Sequence, residues 1–314
     1  NAAGPRAVKY GTPRENTLGL TAVTGAGEVI RTGVATTKGV VGYDLTRLII
    51  GSEGTLALVT QATLKLTPLA EAKRTLRATY ADIHAAAAAV TAIMAQPVTP
   101  CSLEFMDAAA IEMVRGFSDL GLPEGTGALL MIEVDGPAHC IDEAAGAVAR
   151  AARVAGLQEI RTAAGAAEVE ALWRTRRALS PALRHVAPKK INEDVVVPVS
   201  RMGAFIDGLE RLSRETGIRI VNFGHAGNGN IHVNLLANPD DPDEMARAGR
   251  CLDAVFALVI ELEGTLSGEH GVGLEKRDFI DREIDPVTLR LMRDIKRQFD
   301  PNDILNPGKS LPPA

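Results

Sequence analysis

Three of the six histidines in this 314-residue chain stand in two short glycine-rich segments. The first segment, residues 222–234, reads Asn-Phe-Gly-His-Ala-Gly-Asn-Gly-Asn-Ile-His-Val-Asn and holds His225 and His232. Two apolar stretches flank Asn228-Gly229, a dipeptide that favours a two-residue hairpin turn. With that turn, Gly227 opposes Asn230, Ala226 opposes Ile231 and His225 opposes His232. Directly opposed residues carry Cβ atoms about 4.5–5.5 Å apart on one face, and two imidazoles so placed can bind one metal ion at about 2.0–2.1 Å each. Two polar histidines on an exposed hairpin are the plain alternative. The second segment, residues 267–273, reads Ser-Gly-Glu-His-Gly-Val-Gly. Glu269 could complete a two-histidine, one-carboxylate set that leaves positions open for substrate. His270 could then act as general base, because an imidazole titrates near neutral pH. Its glycines admit close approach by something large and planar, or by another chain segment. A glycine-rich turn with a solvated Glu-His pair is the competing reading.

These side chains need elements to hold them. Leu18–Thr24 reads as a strand, Gly25-Ala26-Gly27 as a turn and Glu28–Thr32 as the return strand. A short amphipathic helix over 43–50 stops at Gly51, and a β-rich stretch over 55–66 ends at Pro68. Beyond that point the composition turns to alanine-rich helices alternating with short strands. Strands are expected near 73–80, 101–106, 127–134, 157–162, 194–199, 218–226 and 230–236. Helices are expected near 82–95, 107–117, 138–155, 165–184, 201–216 and 242–263, with short ones near 275–282 and 285–299. Two rounds of strands and helices point to an α+β arrangement, an antiparallel sheet covered by helices on one face. Within the helix at 165–184, Arg176 and Ser180 lie one turn apart and face the same way. A basic surface helix with a solvated serine would show the same spacing.

Composition limits the partners. Apolar residues make up 46% and charged residues 23%, and 34 basic against 39 acidic side chains leave a net charge of −5. That balance argues against a nucleic-acid binder, which needs a basic face, and 11 aromatic residues (7 Phe, 3 Tyr, 1 Trp) make no base-stacking platform. The most apolar run, Ala85–Ala95, is about half the roughly 20 residues that a membrane-spanning helix needs. Cys101, Cys140 and Cys251 are scattered with no metal or redox spacing and read as buried reduced thiols of a cytoplasmic protein. The chain opens on Asn1 inside a Gly- and Pro-rich loop, which leads us to expect that an N-terminal portion is missing.

Six motifs occur in order along the chain: Asn1-Ala2-Ala3-Gly4, Tyr43-Asp44-Leu45, Ile50-Gly51-Ser52-Glu53-Gly54-Thr55-Leu56, the segment 224–230, the segment 267–271 and Leu305-Asn306-Pro307-Gly308-Lys309. Together they resemble the FAD-linked oxidases of the vanillyl-alcohol oxidase superfamily. Within it the chain is most similar to the glycolate oxidase flavoprotein subunit, cytochrome-type D-lactate dehydrogenases and D-2-hydroxyglutarate dehydrogenase. The resemblance implies the C-terminal half of an FAD-binding domain over 1–68, a substrate or cap domain over 69–290, and a segment over 291–314 that returns to the flavin site. It places Ala2, Ala3 and Gly4 near the pyrophosphate or flavin, and Ile50, Ser52, Glu53 and Gly54 along the nucleotide, with Asn306 also at the cofactor. It matches His225, His232 and Glu269 to metal ligands and His270 to the active-site histidine. Arg176 and Ser180 match residues that hold the substrate carboxylate, and Asn234 a substrate-contacting asparagine. The family's substrate lysine falls at or near Asn192, with Lys189 and Lys190 close by. No histidine in 1–68 offers a covalent flavin anchor.

The implied activity is FAD-dependent oxidation of a small D-2-hydroxy acid (lactate, glycolate or 2-hydroxyglutarate) to the 2-oxo acid, with a divalent metal, zinc before iron or manganese. Electrons would leave to a cytochrome, a quinone or an electron-transfer flavoprotein. The expected protein is cytoplasmic, with a peripheral place at the inner membrane and a homodimer left open. A metal-dependent hydrolase and a metal-binding cap without flavin are the competing classes. The first would leave the FAD-like motifs without a purpose. Without the phosphate-cradling glycines that should precede Asn1, this chain is expected to hold FAD weakly or not at all.

Overall fold

Aspartates start many of the helices. In the computed structural model, which describes residues 1–36, 38–115 and 121–312 (side chains of 184–186 excepted), two single-turn helices come first, α1 (Ala7–Tyr10) and α2 (Pro13–Asn16). The strands β1 (Thr17–Thr24) and β2 (Val29–Gly33) follow, then α3 (Leu45–Ile49) and β3 (Ala57–Leu64). Asp44 caps α3 by accepting the Arg47 N–H at 2.9 Å. The second run comprises β4 (Ala72–Tyr80), α4 (Ile83–Met94), β5 (Ser102–Asp107), α5 (Ala108–Arg115), β6 (Ala128–Gly136), α6 (Ile141–Ala151) and β7 (Leu157–Thr162). It continues through α7 (Ala166–Val186), β8 (Lys189–Val196), α8 (Met202–Thr216), β9 (Arg219–His225), β10 (Asn230–Ala237) and α9 (Pro242–Glu261). A 3-10 turn at Arg277–Arg282 and α10 (Pro286–Phe299) close the chain. Asp82 caps α4, while Asp241 and Asp285 cap α9 and α10 with a proline at the first helical position. The helix expected over 107–117 has its last two positions outside the described residues.

Two compact units share the chain. The first comprises residues 1–4, 11–69 and 266–314, and the second residues 5–10 and 70–265. The sequence reading set a boundary at 290, whereas the chain passes from one unit to the other at 265. Thr265 still bridges Val196 in the second unit. Within the first unit the Leu266 N–H donates to Glu283 at 2.9 Å and the Val272 N–H to Glu53 at 2.7 Å.

The first unit is built on a three-stranded antiparallel sheet in the order β2-β1-β3. Beside this sheet a small cluster of Leu20, Ala22, Ile49 and Ala57 is buried, with Ile30, Ile50 and Phe299 packed against it. Ile50, expected beside the nucleotide, packs on this cluster.

The second unit is a seven-stranded antiparallel sheet in the order β7-β4-β6-β5-β9-β10-β8. The expectation of helices on one face is corrected here. Every residue of β5, and every residue of β6 but Gly136, is buried, which requires cover on both faces. On one face Met106, Leu129, Met131, Val221 and Phe223 pack under Ile111 and Val114 of α5 and Leu172, Leu179 and Leu183 of α7. On the other, the Tyr80 hydroxyl donates to the Ala152 carbonyl at 2.9 Å, at the end of α6. A fully buried Leu, Ile, Met or Phe stabilises by about 1.5–3 kcal/mol, so this two-sided core dominates the second unit.

Candidate functional site

Register decides which side chains share a face of the large sheet. β5 pairs Glu104 with His225 and Met106 with Phe223. β10 pairs Asn230 with His225, His232 with Phe223 and Asn234 with Val221 on one side, and His232 with Asp194 and Asn234 with Asn192 on the other. Alternate residues of a strand point to the same side. Glu104, His225, Asn230, His232, Asp194, Asn234 and Asn192 therefore stand on the face that α5 and α7 cover farther along.

This register differs from the two-residue hairpin. The β9–β10 connection takes four residues, a 3-10 turn at Ala226–Asn228 followed by Gly229 in the left-handed region at φ 70°. His225 consequently opposes Asn230, and Phe223 opposes His232. The shift is two residues, so parity survives and the histidines become diagonal neighbours on one face. Their ring centroids lie 5.1 Å apart at an interplanar angle of 85°. Gly229 closes this turn tightly against backbone: a Cβ there would come within 1.9 Å of the Val197 carbonyl oxygen.

Each histidine has an acidic neighbour. His225 Nδ1 lies 2.6 Å from Glu104 Oε1, both buried. That contact holds the proton on Nδ1 and makes Nε2 the acceptor nitrogen, the arrangement that suits a metal ligand. His232 Nδ1 lies 3.7 Å from Asp194 Oδ1, an ion-pair rather than a hydrogen-bond distance. Asn230 Nδ2 donates to that same Asp194 oxygen at 2.6 Å. The Asn234 amide donates to the carbonyls of Val221 and His232 at 3.0 and 2.9 Å and accepts from Asn192 Nδ2 at 2.7 Å. It thus ties three strands together beneath His232.

Helix α7 brings the two residues expected to face a carboxylate. Arg176 donates from Nε and Nη2 to Glu104 Oε2, both at 2.9 Å, and its guanidinium stacks over the Phe223 ring at 4.7 Å. One turn on, the Ser180 hydroxyl accepts from Lys190 Nζ at 2.8 Å. Lys190 pairs with Leu236 and shares the parity of Asn192 and Asp194, so of the two nearby lysines it is the one on the site's face.

In the first unit, Glu269 accepts the Gly4 N–H through Oε2 at 2.6 Å, and Glu269 and His270 present ligand atoms within 4.8 Å of each other. The glycines around them admit another chain segment: the Glu53 carboxylate takes the N–H groups of Val272 and Gly273 at 2.7 and 2.8 Å. The Ser52-Glu53-Gly54 turn is left-handed at Glu53 and Gly54, at φ 53° and 68°, and Asn306 Nδ2 donates to the Glu53 carbonyl at 2.7 Å. Glu53 and Asn306 thus hold these loops together. Ala2 is exposed, Ala3 half-buried, and Gly4 has open space where a Cβ would stand. That small-residue strip can admit a planar ring or a phosphate.

Sequence reasoning missed Glu104, Asp194 and Asn230. Glu104 carried a signal: an acid inside the apolar run Leu103-Glu104-Phe105-Met106 must be buried and therefore partnered. The thiol expectation holds for Cys101 and Cys251, whereas Cys140 is only half-buried.

Residues 69–310 match the family described as FAD linked oxidases, C-terminal domain. The chain is 38% identical over 309 residues to the glycolate oxidase subunit GlcD of Bacillus subtilis, covering 98% of this chain and 66% of that protein. It is 34% identical over 321 residues to a D-lactate dehydrogenase of Anaerostipes hadrus, covering 98% and 67%. The chain thus spans about two thirds or less of the length of relatives of this kind, down to 62% for GlcD of Escherichia coli. A p-cresol methylhydroxylase solved with substrate bound shares the fold at a TM-score of 0.73 and 16% identity, over 95% of this chain and 65% of that one.

Proposed function

The chain belongs to the family of FAD linked oxidases, C-terminal domain, and from that premise we propose that it serves the FAD-dependent oxidation of a small D-2-hydroxy acid to the 2-oxo acid. The observation that carries the reading is the buried sheet face where two histidines 5.1 Å apart adjoin an arginine through one carboxylate. A 2-hydroxy acid offers a hydroxyl for a metal ion and a carboxylate for an arginine. The relatives named for glycolate and D-lactate fit that substrate class.

His225 and His232 fit a divalent metal, because Glu104 leaves Nε2 of His225 as the acceptor nitrogen. We assign Glu269 as the third ligand and zinc as the ion, which tolerates mixed nitrogen and oxygen donors. The zinc would supply Lewis-acid polarisation of the substrate hydroxyl. FAD, approached by Ala2, Ala3 and Gly4, would supply the acceptor for the α-hydrogen as hydride. Arg176 orients the substrate carboxylate, with Ser180 and Lys190 flanking it, while Asn234 fixes the strand that carries His232. His270 takes the hydroxyl proton on a ring nitrogen. Electrons would then leave the bound flavin for a cytochrome, a quinone or an electron-transfer flavoprotein. No helix among the described residues is long and apolar enough to cross a membrane.

Steady-state oxidation of glycolate, D-lactate and D-2-hydroxyglutarate, with FAD titrated in until its binding saturates, tests this reading. Turnover of at least one is expected, with loss of bound zinc and of turnover in the His225→Ala, His232→Ala double variant. Failure to oxidise all three, or full activity in that variant, would sink it.

A further inference from the structure

We propose that Glu104 is a positioning residue that ties metal ligation to recognition of the substrate carboxylate. The inference rests on the functional reading above and deepens it. Glu104 is 1% exposed, so no water can substitute for its partners. Its two oxygens are divided between two functional side chains: Oε1 meets His225 Nδ1 at 2.6 Å, and Oε2 takes both Nε and Nη2 of Arg176 at 2.9 Å. The first contact selects the tautomer in which Nε2 of His225 can ligate a metal. The second fixes the plane of the guanidinium on its Nε edge and over Phe223, which leaves the Nη1 side to meet a carboxylate. β5 sets this up, since Glu104 directly opposes His225 in the sheet. One side chain therefore aims both halves of the site.

Glutamine at position 104 separates the two roles. Its amide has one acceptor oxygen and one donor group, so it cannot accept from His225 and Arg176 at once. The charged guanidinium wins the oxygen. The NH₂ group then faces His225 Nδ1, which must become the acceptor, and the proton moves to Nε2, where it blocks the metal. Removing the guanidinium as well frees the oxygen for His225.

The test is zinc affinity, measured on the whole chain by competition with a chromogenic chelator, so that it needs no turnover. Glu104→Gln is expected to weaken zinc binding about 10–100-fold, the usual cost of losing a partner behind a metal ligand. Arg176→Met should leave zinc affinity within about threefold of wild type and raise KM. The Glu104→Gln, Arg176→Met double variant should recover most of the zinc affinity, and Glu104→Ala, Arg176→Met should not. That last pair buries no unpaired charge and carries the test even if Glu104→Gln alone fails to fold. Wild-type zinc affinity in Glu104→Gln would overturn the proposal. Equal affinities in the two double variants would overturn it as well. A wild-type protein that takes up no zinc would overturn the metal reading itself, and this coupling with it.

Discussion

At the scale of single residues, His270 and Arg176 are assigned to different parts of the reaction and should fail differently. The hydroxyl proton moves only as the transition state is reached, so His270→Ala should lower kcat by roughly 10²–10⁴-fold, the usual contribution of general acid–base catalysis. The substrate carboxylate keeps its charge throughout, so its bond to Arg176 is uniform binding. A charge-assisted hydrogen bond contributes about 1.5–3 kcal/mol, and Arg176→Met should therefore raise KM by roughly 10–100-fold at nearly unchanged kcat. Methionine keeps the packing over Phe223. Steady-state kinetics on the best of the three hydroxy acids separates the two. A His270→Ala variant with wild-type kcat, where hydride transfer limits the rate, would remove His270 as the base.

At the scale of elements, the β9–β10 turn and the end of β5 hold the site in register. Gly229 has φ 70°, and a Cβ there would meet the Val197 carbonyl oxygen at 1.9 Å. Gly229→Ala thus combines backbone strain with a clash against backbone, and should destabilise the second unit by about 2–4 kcal/mol. At the end of β5, Asp107 accepts from the N–H of Ala110, the N–H of Asn222 and the Asn222 side chain, at 2.7, 2.8 and 3.0 Å. Burial pushes its pKa up to about 6 despite these donors. The folded state then holds the Asp107 proton more tightly than the unfolded chain, whose carboxyl titrates near 3.9. This group's stabilisation is complete below pH of about 4 and is lost as pH rises through about 6. On lowering pH from 7 to about 4.5, wild type should gain roughly 2 kcal/mol over Asp107→Asn. Urea unfolding followed by Trp173, the single tryptophan of the chain, reads both effects. A wild-type to Asp107→Asn difference that stays flat with pH would contradict the second.

At the scale of the whole molecule, the two units differ in how much core each owns. The first buries few apolar side chains, Leu20 and Ile49 beside its sheet and Leu266, Ile280 and Leu289 in its C-terminal part, and every residue of β3 after Ala57 is exposed. The second buries both faces of its central strands. Stability within a protein follows the local density of buried apolar contacts, so the first unit should unfold at lower denaturant. Trp173 reports only the second unit, whereas far-ultraviolet circular dichroism reports both. Unfolding curves from the two probes should separate, with the circular dichroism transition beginning first. Coincident curves would show that the chain unfolds as one cooperative body.

The sequence by itself determined the order and type of nearly every element, because caps, prolines and hydrophobic period act within a few residues of one another. Asp82, Asp241-Pro242 and Asp285-Pro286 mark helix starts whatever the rest of the chain does. That His225 and His232 share one face was also legible, since a hairpin preserves strand parity whether its loop has two residues or four. The need for glycine at 229 was not legible, because it comes from the backbone of Val197, just past β8 and more than thirty residues away. The boundary at 265 likewise depended on Glu53, Gly4 and Glu283 reaching residues 266–273 through space. Cover on both faces of the sheet depended on where α5 and α7 packed. Glu104 shows the division most plainly. The sequence required a buried acid in β5 to have partners, and only the pairing of β5 with β9, under α7, decided that they were His225 and Arg176.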